Sequence, residues 1–218
     1  MTQAHKPTIA IVDYGMGNLH SVTKAFELVA GDDATIILTA DPAVVASADK
    51  VVFPGQGAMP DCMRELNESG LKQAVLDAAA SKPFLGICVG AQLLFEHSEE
   101  GDMDCLGVFK GKVVKFKPEN MRDTEGLKLK VPHMGWNEMF IQREHPLWAG
   151  INEAERFYFV HSYHFAPESD ADTIIESAYP NRFAVAVARD NIFAIQCHPE
   201  KSDKAGLQLL KNFVHWNV

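Results

Sequence analysis

One cysteine, Cys88, lies in a sequence context that is typical of a nucleophile. It is the centre of Gly-Ile-Cys-Val-Gly at residues 86–90, between an apolar stretch and a segment of helical character. A nucleophile elbow has this pattern, because a sharp strand-to-helix turn needs small residues two positions before and after the nucleophile. The helix N-terminus also favours the thiolate. A small buried cysteine at a strand end has the same local pattern, so this segment alone leaves both interpretations open.

A second segment supplies the groups that such a nucleophile needs. His198-Pro199-Glu200 ends an apolar stretch over residues 192–197. Pro199 favours an extended conformation at His198, so the side chains of His198 and Glu200 point the same way. Glu200 can then hold one ring nitrogen while the other faces a nucleophile. An isolated His-x-Glu is more often a strand-end histidine beside an unrelated glutamate. Its presence in one chain with the elbow favours a triad with Cys88.

The elements around these segments predict an α/β protein. Apolar strands alternate with helices along the first hundred residues: strands at 8–12, 34–38, 50–53 and 84–88, and helices at 19–30, from 42, at 61–81 with a break at Gly70, and at 91–97. This alternation predicts an open, doubly wound, mostly parallel sheet with helices on both faces. Ligands bind such sheets at the C-terminal strand ends, and Asn18, Gln56 and Cys88 are all expected there.

The second half of the chain predicts an antiparallel extension of that sheet. Short strands are expected at residues 106–109, 112–116, 128–131, 157–165, 173–178, 183–188 and 192–197, with a turn at 190–191. Residues 132–137 are expected to form a loop, and a helix is expected from about Ser202. No composition shift or linker divides the chain, so residues 1–218 are expected to form a single domain.

Composition excludes several classes of function. The net charge is −9 and there is no basic run, which argues against nucleic acid and anionic membranes as partners. There are four cysteines: Cys62, Cys88, Cys105 and Cys197. They form no Cys-x-x-Cys pair and have no zinc-finger spacing, and no pair of histidines has the spacing of a metal site. We therefore expect no metal, and free thiols in a cytoplasmic protein. No signal peptide or membrane span is expected.

A glycine-rich loop at residues 13–18 invites comparison with a dinucleotide site. The Gly-x-Gly-x-x-Gly spacing is incomplete, because His20 stands where the third glycine would be. We therefore expect no dinucleotide, and no cofactor of any kind.

Several motifs together resemble the class I glutamine amidotransferases, and among them the glutaminase subunits of imidazole glycerol phosphate synthase. Besides the elbow, they are Asp-Tyr-Gly-Met-Gly-Asn at 13–18, Pro-Gly-Gln-Gly at 54–57, Pro-His-Met-Gly-Trp-Asn at 132–137, Tyr-Phe-Val-His-Ser-Tyr at 158–163 and Cys-His-Pro-Glu-Lys-Ser at 197–202. The chain departs from the family where Val89 and Ala91 replace the common Leu and Met, Gln56 replaces Val, and Cys197 replaces Phe. No departure removes a catalytic group, although Cys197 adds a thiol near the site.

The resemblance implies a flavodoxin-like amidotransferase fold and the hydrolysis of L-glutamine. Cys88 would attack the side-chain amide, with His198 as acid and base and Glu200 as its orienting group. The backbone amide of Val89 follows the nucleophile and is the natural first oxyanion donor. By the match to the family, the amide of Gln56 would be the second. By the same match, the amino acid end of glutamine would be held by Gly57, Gln92, Ser162 and Tyr163.

The resemblance also implies a partner. In the family the ammonia passes to a (β/α)8-barrel cyclase, as a heterodimer, which makes imidazole glycerol phosphate and an aminoimidazole carboxamide ribotide. Three residues match positions expected near that interface: Asn18, Trp136 and Lys201. For Trp136, a core or loop-packing role stays open on the sequence alone.

Three other interpretations stay open at this stage. The chain could be the glutaminase of another synthase, such as a pyridoxal phosphate or anthranilate system; residues 13–18 and 132–137 speak against this. It could be a non-catalytic redox sensor on the same scaffold, which would not need a complete acid–base relay. It could also be a γ-glutamyl peptidase, which would work without a partner.

Overall fold

The computed structural model describes residues 6–117, 119, 121–122, 125–153 and 155–218. In its first half the elements are β1 (Thr8–Val12), α1 (Leu19–Ala30), β2 (Thr35–Thr39), α2 (Pro42–Ser47), β3 (Lys50–Gly55), α3 (Met59–Glu68), α4 (Lys72–Ser81), β4 (Phe84–Cys88), α5 (Val89–Gln92), β5 (Phe95–Ser98) and β6 (Met103–Asp104).

The second half is mostly strands. They are β7 (Phe109–Lys115), β8 (His133–Glu138), β9 (Phe140–Ile141), β10 (Arg156–His161), β11 (Tyr163–Pro167), β12 (Thr173–Ala178), β13 (Arg182–Arg189) and β14 (Ile192–Ile195), followed by α6 (Asp203–His215). Short 3₁₀ turns cover Pro146–Trp148, Asp170–Asp172 and Pro199–Lys201.

The main sheet is parallel at one end and largely antiparallel at the other. Its order is β2-β1-β3-β4-β14-β13-β11-β7-β5-β6, and the pairs from β2 through β14 are all parallel. β13 and β11 then run antiparallel to their neighbours. A separate ribbon pairs β10 with β8. This arrangement confirms the predicted α/β sheet with an antiparallel extension.

The strand order reverses beside β1, which puts helices on both faces. The chain steps from β1 to β2 in one direction and then back across β1 to β3. Because parallel crossovers are right-handed, α1 must lie on one face and α2 to α4 on the other. Consistently, α1 packs against α6, while α2 packs against α4. Apolar residues on both faces of β1, β3 and β4 are fully buried, as a two-sided core requires.

Five local predictions were wrong, one of them the strand expected over 128–131, where Lys128 forms only an isolated bridge. The helix expected over 91–97 ends at Gln92, and Phe95–Ser98 is a strand. Residues 106–109 are mostly outside strands, since β7 begins at Phe109. Residues 132–137 are not a loop, because His133–Glu138 forms a strand with β10. The single strand expected over 157–165 is divided at Ser162 into β10 and β11.

Long-range pairing explains the error at residues 91–97. The carbonyls of Leu93 and Leu94 accept from the amides of Leu106, Val108 and Phe109 instead of continuing a helix. In the segment expected to form a strand at 128–131, the described pairing is a single bridge between Arg122 and Lys128.

Across the described residues, no helix is long and apolar enough to cross a membrane.

Candidate active site

Cys88 sits in a strained turn between β4 and α5. Its φ is 55° and its ψ is −117°, a backbone conformation that residues with a side chain rarely adopt. Such strain persists at functional sites when the surrounding packing enforces it. The enforcing contact is close: a Cβ added to Gly90 would lie 2.0 Å from the backbone oxygen of Phe53. Glycine at this position therefore lets the elbow press against β3.

The strand order brings His198 to the elbow. β14 lies beside β4 in parallel, so both strands end at the same edge. His198 follows β14 with an extended backbone, φ −107° and ψ 90°, as predicted from Pro199. Its amide donates to the carbonyl of Tyr158 at 2.9 Å, and its own carbonyl accepts from the Ser202 hydroxyl at 2.6 Å. The histidine is thus fixed by two neighbouring segments.

Glu200 holds the Nδ1 side of that ring. Nδ1 of His198 lies 2.8 Å from Oε1 of Glu200, and the two side chains are 4% and 1% exposed. Nε2 is buried and has no hydrogen-bond partner in the described part of the chain. Burial lowers the pKa of His198, but the Cys88 side chain and then Glu200 outweigh it and raise the pKa to about 10. The geometry therefore favours an imidazolium facing the sulfur.

The other cysteines are less suited to be nucleophiles. Cys197 is fully buried, and burial raises its pKa well above the ordinary value. Burial likewise raises the pKa of Cys62 and of Cys105 to about 11. The thiolate is the nucleophilic form, so a raised pKa makes a thiol unreactive near neutral pH. The thiol of Cys197, although near the site, is therefore a poor candidate for the nucleophile.

A cavity of about 280 Å³ opens over Cys88 and His198. All six residues expected in the oxyanion hole and the substrate site line it: Gln56, Gly57, Val89, Gln92, Ser162 and Tyr163. Gly55 lies opposite Cys88 in the parallel pairing of β3 and β4. The next residue after each, Gln56 and Val89, therefore follows the end of its strand beside the other. Both backbones border the space in front of the sulfur.

Sequence reasoning missed Gln196. This residue is fully buried, and its side-chain amide donates to Sγ of Cys88 at 3.8 Å. Its carboxamide oxygen accepts from Nε2 of Gln92 at 2.8 Å. The signal was the register of β14 against β4, which places Gln196 beside Cys88 and which depends on a pairing between distant parts of the chain.

Two other residues line the cavity without having been singled out as site residues. Glu100 lines it, and its Oε2 accepts from the amide of Met59 at 2.9 Å. His161 also lines it, and its Nδ1 lies 2.7 Å from the carbonyl of Tyr163.

His133 and His161 form a neutral, hydrogen-bonded pair of rings at the cavity wall. Burial lowers the pKa of His161 to about 3 and that of His133 to about 4. His161 Nδ1 donates to the Tyr163 carbonyl, so its Nε2 must accept from Nδ1 of His133 at 2.9 Å. These rings therefore support the strand carrying Tyr163 and are not acid–base groups at neutral pH.

The residues expected at a partner interface lie on segments that contact or neighbour the turn after His198. Trp136 on β8 is 50% exposed and its ring contacts Tyr158, the residue that anchors His198. Lys201 is half-buried in the turn after His198. Asn18 is half-buried at the start of α1, and α1 contacts that same turn.

In the described residues, no group of three or more His, Cys, Asp or Glu side chains is placed to hold a metal ion.

Comparisons with known proteins agree with this geometry. The model of the family described as glutamine amidotransferase class-I matches residues 10–216. Two solved structures share the fold. One is a glutamine amidotransferase with a TM-score of 0.69 at 14% identity, and the match covers 95% of this chain and 99% of that one. The other is a glutamine amidotransferase from Thermotoga maritima with a TM-score of 0.57 at 15% identity, and the match covers 90% of this chain and 77% of that one. The chain belongs to the class I glutamine amidotransferase family.

More similar relatives narrow the comparison within that family. The imidazole glycerol phosphate synthase subunit HisH of Chromobacterium violaceum is 63% identical over 209 residues, covering 96% of this chain and 98% of the relative. The protein of the same name from Neisseria gonorrhoeae is 58% identical over 210 residues, covering 95% and 99%. The chain is thus similar to HisH subunits along nearly its whole length.

Proposed function

We propose that this chain is the glutaminase subunit of an imidazole glycerol phosphate synthase, which serves histidine biosynthesis. It hydrolyses L-glutamine to glutamate and ammonia and passes the ammonia to a cyclase subunit. The observation that carries the proposal is the joint placement of a strained elbow cysteine and a buried His198–Glu200 pair at one cavity. Near-full-length similarity to HisH subunits supports the choice of synthase.

The reaction begins at the sulfur of Cys88. The thiolate adds to the side-chain amide carbon of glutamine, and a tetrahedral oxyanion forms. Nε2 of His198 then gives its proton to the amide nitrogen, the C–N bond breaks, and ammonia leaves a glutamyl thioester on Cys88. His198 next takes a proton from water, whose oxygen attacks the thioester carbon, and glutamate is released with regeneration of the thiolate–imidazolium pair. Glu200 keeps the ring in the productive orientation throughout.

Two backbone amides would stabilise the oxyanion. Val89 N–H lies at the start of α5, directly after the nucleophile, and Gln56 N–H lies at the end of the adjacent strand. Losing one such donor typically costs about 3 kcal/mol of transition-state stabilisation. Glutamine's amino acid end would be held by the remaining lining residues: Gly57, Gln92, Ser162 and Tyr163.

The partner is a (β/α)8-barrel cyclase, bound as a heterodimer. Met134 and Trp136 alternate on one face of β8 and are 66% and 50% exposed, although both are large and apolar. Such residues beside a catalytic cavity fit a protein interface. Pro132 lines both the cavity and an adjacent groove of about 630 Å³ that includes Met134, so a partner seated there would close the site against water.

The remaining parts of the proposal follow from this role. The whole chain acts as one amidotransferase domain, works in the cytoplasm beside the cyclase, and needs no cofactor for glutamine hydrolysis. Together with the cyclase it completes a lyase reaction, because the ammonia drives cleavage of the ribulosyl precursor into its two products.

Steady-state glutamine hydrolysis tests this function. The purified chain is assayed alone, with a barrel cyclase, and with the cyclase plus its ribulosyl ligand. Low activity alone and strong activation by the loaded cyclase are expected. Equal activity in all three conditions would point to a stand-alone hydrolase such as a γ-glutamyl peptidase. No activity in any condition would favour a redox sensor.

A further inference from the structure

Gln196 is placed beside the nucleophile by the central register of the sheet. Ile195 on β14 lies opposite Ile87 on β4, so the next residues along the two strands are Gln196 and Cys88. The Gln196 side chain is fully buried, and carboxamides are seldom buried without specific partners.

The orientation of the Gln196 carboxamide follows from a chain of hydrogen bonds. The carbonyl of Tyr163 can only accept, and it accepts from Nε2 of Gln92 at 3.1 Å. The same Nε2 donates to Oε1 of Gln196 at 2.8 Å. With its oxygen facing that donor, Gln196 must turn its NH₂ group toward Sγ of Cys88, 3.8 Å away. The donor therefore faces the sulfur for a structural reason.

We propose that Gln196 stabilises and positions the Cys88 thiolate and connects it to the glutamine site through Gln92. This inference rests on the proposed glutaminase function and adds a further residue to its machinery. A donor that water cannot reach stabilises an anion more strongly than one in solvent. The connection also makes the placement of the sulfur depend on Gln92 and Tyr163, which line the substrate cavity.

Two substitutions separate this role from simple packing. Gln196→Met keeps the length and volume of the side chain but removes the donor. Gln196→Glu keeps the shape but places a carboxyl group against the sulfur. If Gln196 only fills space, Gln196→Met should leave the ionisation of Cys88 unchanged, whereas loss of a stabilising donor should shift it. Gln196→Glu is the positive control, because a carboxyl group against the sulfur opposes the thiolate in either case.

The experiment measures alkylation of Cys88 by iodoacetamide across pH, in the full chain bound to its cyclase. Peptide mass spectrometry with fragmentation separates Cys88 from the other thiols. The native titratable groups that act on Cys88 are kept in each variant, and only Gln196→Glu adds another; the native groups are Tyr14, Cys62, Cys197 and His198. For Gln196→Met we expect alkylation at pH 7 to slow by about tenfold, the order of a lost hydrogen bond to a charged group. The pH midpoint of the reaction should move upward.

The outcomes are distinct. An unchanged pH midpoint in Gln196→Met, with native thermal unfolding and a shifted midpoint in Gln196→Glu, would overturn the proposal. This readout needs no glutamine, so failure of the proposed function would appear separately, as a wild-type complex that reacts with iodoacetamide but does not hydrolyse glutamine. If both variants fail to fold, the wild-type chain still gives the test. The side-chain amide ¹⁵N resonance of Gln196 should shift when Cys88 is alkylated or replaced by Ala, and a resonance insensitive to both would overturn the proposal.

Discussion

Oε1 of Glu200 lies 2.8 Å from Nδ1 of His198, and this contact is buried. A carboxylate can only accept, so Nδ1 carries a proton and Nε2 is the nitrogen left to exchange protons with Cys88 and substrate. The contact arises locally but not as expected from an extended chain. Pro199 favours the extended backbone at His198, and the 3₁₀ turn Pro199–Lys201 that follows places Glu200 against the ring. Short-range geometry thus defines the direction in which His198 works.

The first prediction concerns this contact. Glu200→Gln keeps the shape of the side chain but removes its negative charge. A carboxamide can also donate to Nδ1, so it no longer fixes the His198 tautomer that carries its proton there. We expect kcat for glutamine hydrolysis to fall by about 10³–10⁴-fold, with little change in KM. Ammonia-dependent synthesis by the complex should be retained. Glu27→Gln, which alters an exposed pair with Lys24 at 2.7 Å, is the control. Glutamine-dependent rates for Glu200→Gln within twofold of the wild type would contradict the assignment.

The second prediction concerns the protonation of His198. Its pKa is about 10, because Cys88 and Glu200 outweigh the lowering effect of burial. A raised pKa keeps the ring protonated through neutral pH, so the proton should be lost only as pH rises toward 10. In Cys88→Ala the negative partner is gone and burial opposes the charge, so the midpoint should fall.

Imidazole NMR of ¹⁵N-labelled histidine measures both midpoints. His215, which is about half exposed, serves as the internal reference. Glutaminase activity should also decline as pH rises through the His198 midpoint, since the leaving nitrogen needs its proton. A wild-type ring that deprotonates below its ordinary value of 6.5 would contradict the account.

The third prediction tests the elbow. Gly90→Ala would put a Cβ 2.0 Å from the carbonyl oxygen of Phe53, so β3 or the elbow must shift. We expect the free energy of unfolding to fall by about 1–3 kcal/mol and glutamine hydrolysis to fall with it. Gly107→Ala is the control, because nothing lies within 4 Å of its added Cβ and only its positive φ opposes the change. Urea unfolding compares the two, and equal losses would argue against a packed elbow.

The fold was predictable from sequence where its signals are local. The boundaries of β1 and α1 match the prediction to the residue, because an apolar run and an amphipathic segment ending at Gly31 mark them directly. The strand at Phe95–Ser98 was missed because its partners are formed by residues 103–104 and 109–113. β8 was missed because glycine and proline favour a loop locally, whereas pairing with β10 decides the outcome.

In the candidate site, too, the residues in local motifs were predictable and those that depend on pairing between distant segments were not. Cys88, His198 and Glu200 stand in two short motifs that are ambiguous separately and that predict a triad when both occur in one chain. The positions of Gln56 and Val89 side by side depend on β3 lying next to β4, which the alternation of elements predicted in outline. Gln196 was not predictable, because its role requires the register between β14 and β4, and no local pattern records that register.

The fourth prediction concerns the partner surface. Trp136→Ala removes a large exposed apolar side chain from β8 and should weaken binding of the cyclase by about tenfold or more, as expected of an interface tryptophan. Activation by the loaded cyclase should weaken with it, while thermal unfolding of the free chain should change little. Leu28→Ala is the control, because Leu28 is 70% exposed on α1, at the end away from Asn18. Calorimetric affinities equal to the wild type would remove Trp136 from the interface.

Trapping the thioester tests most directly whether Cys88 is the nucleophile. The chain in complex with the loaded cyclase is mixed with radiolabelled glutamine, quenched in acid and digested, and the label is located by peptide mass spectrometry. We predict a glutamyl group on Cys88 in the wild type and no label in Cys88→Ala, whose complex should still use ammonia. A label on Cys197 or another residue, or glutamine hydrolysis by Cys88→Ala, would contradict it.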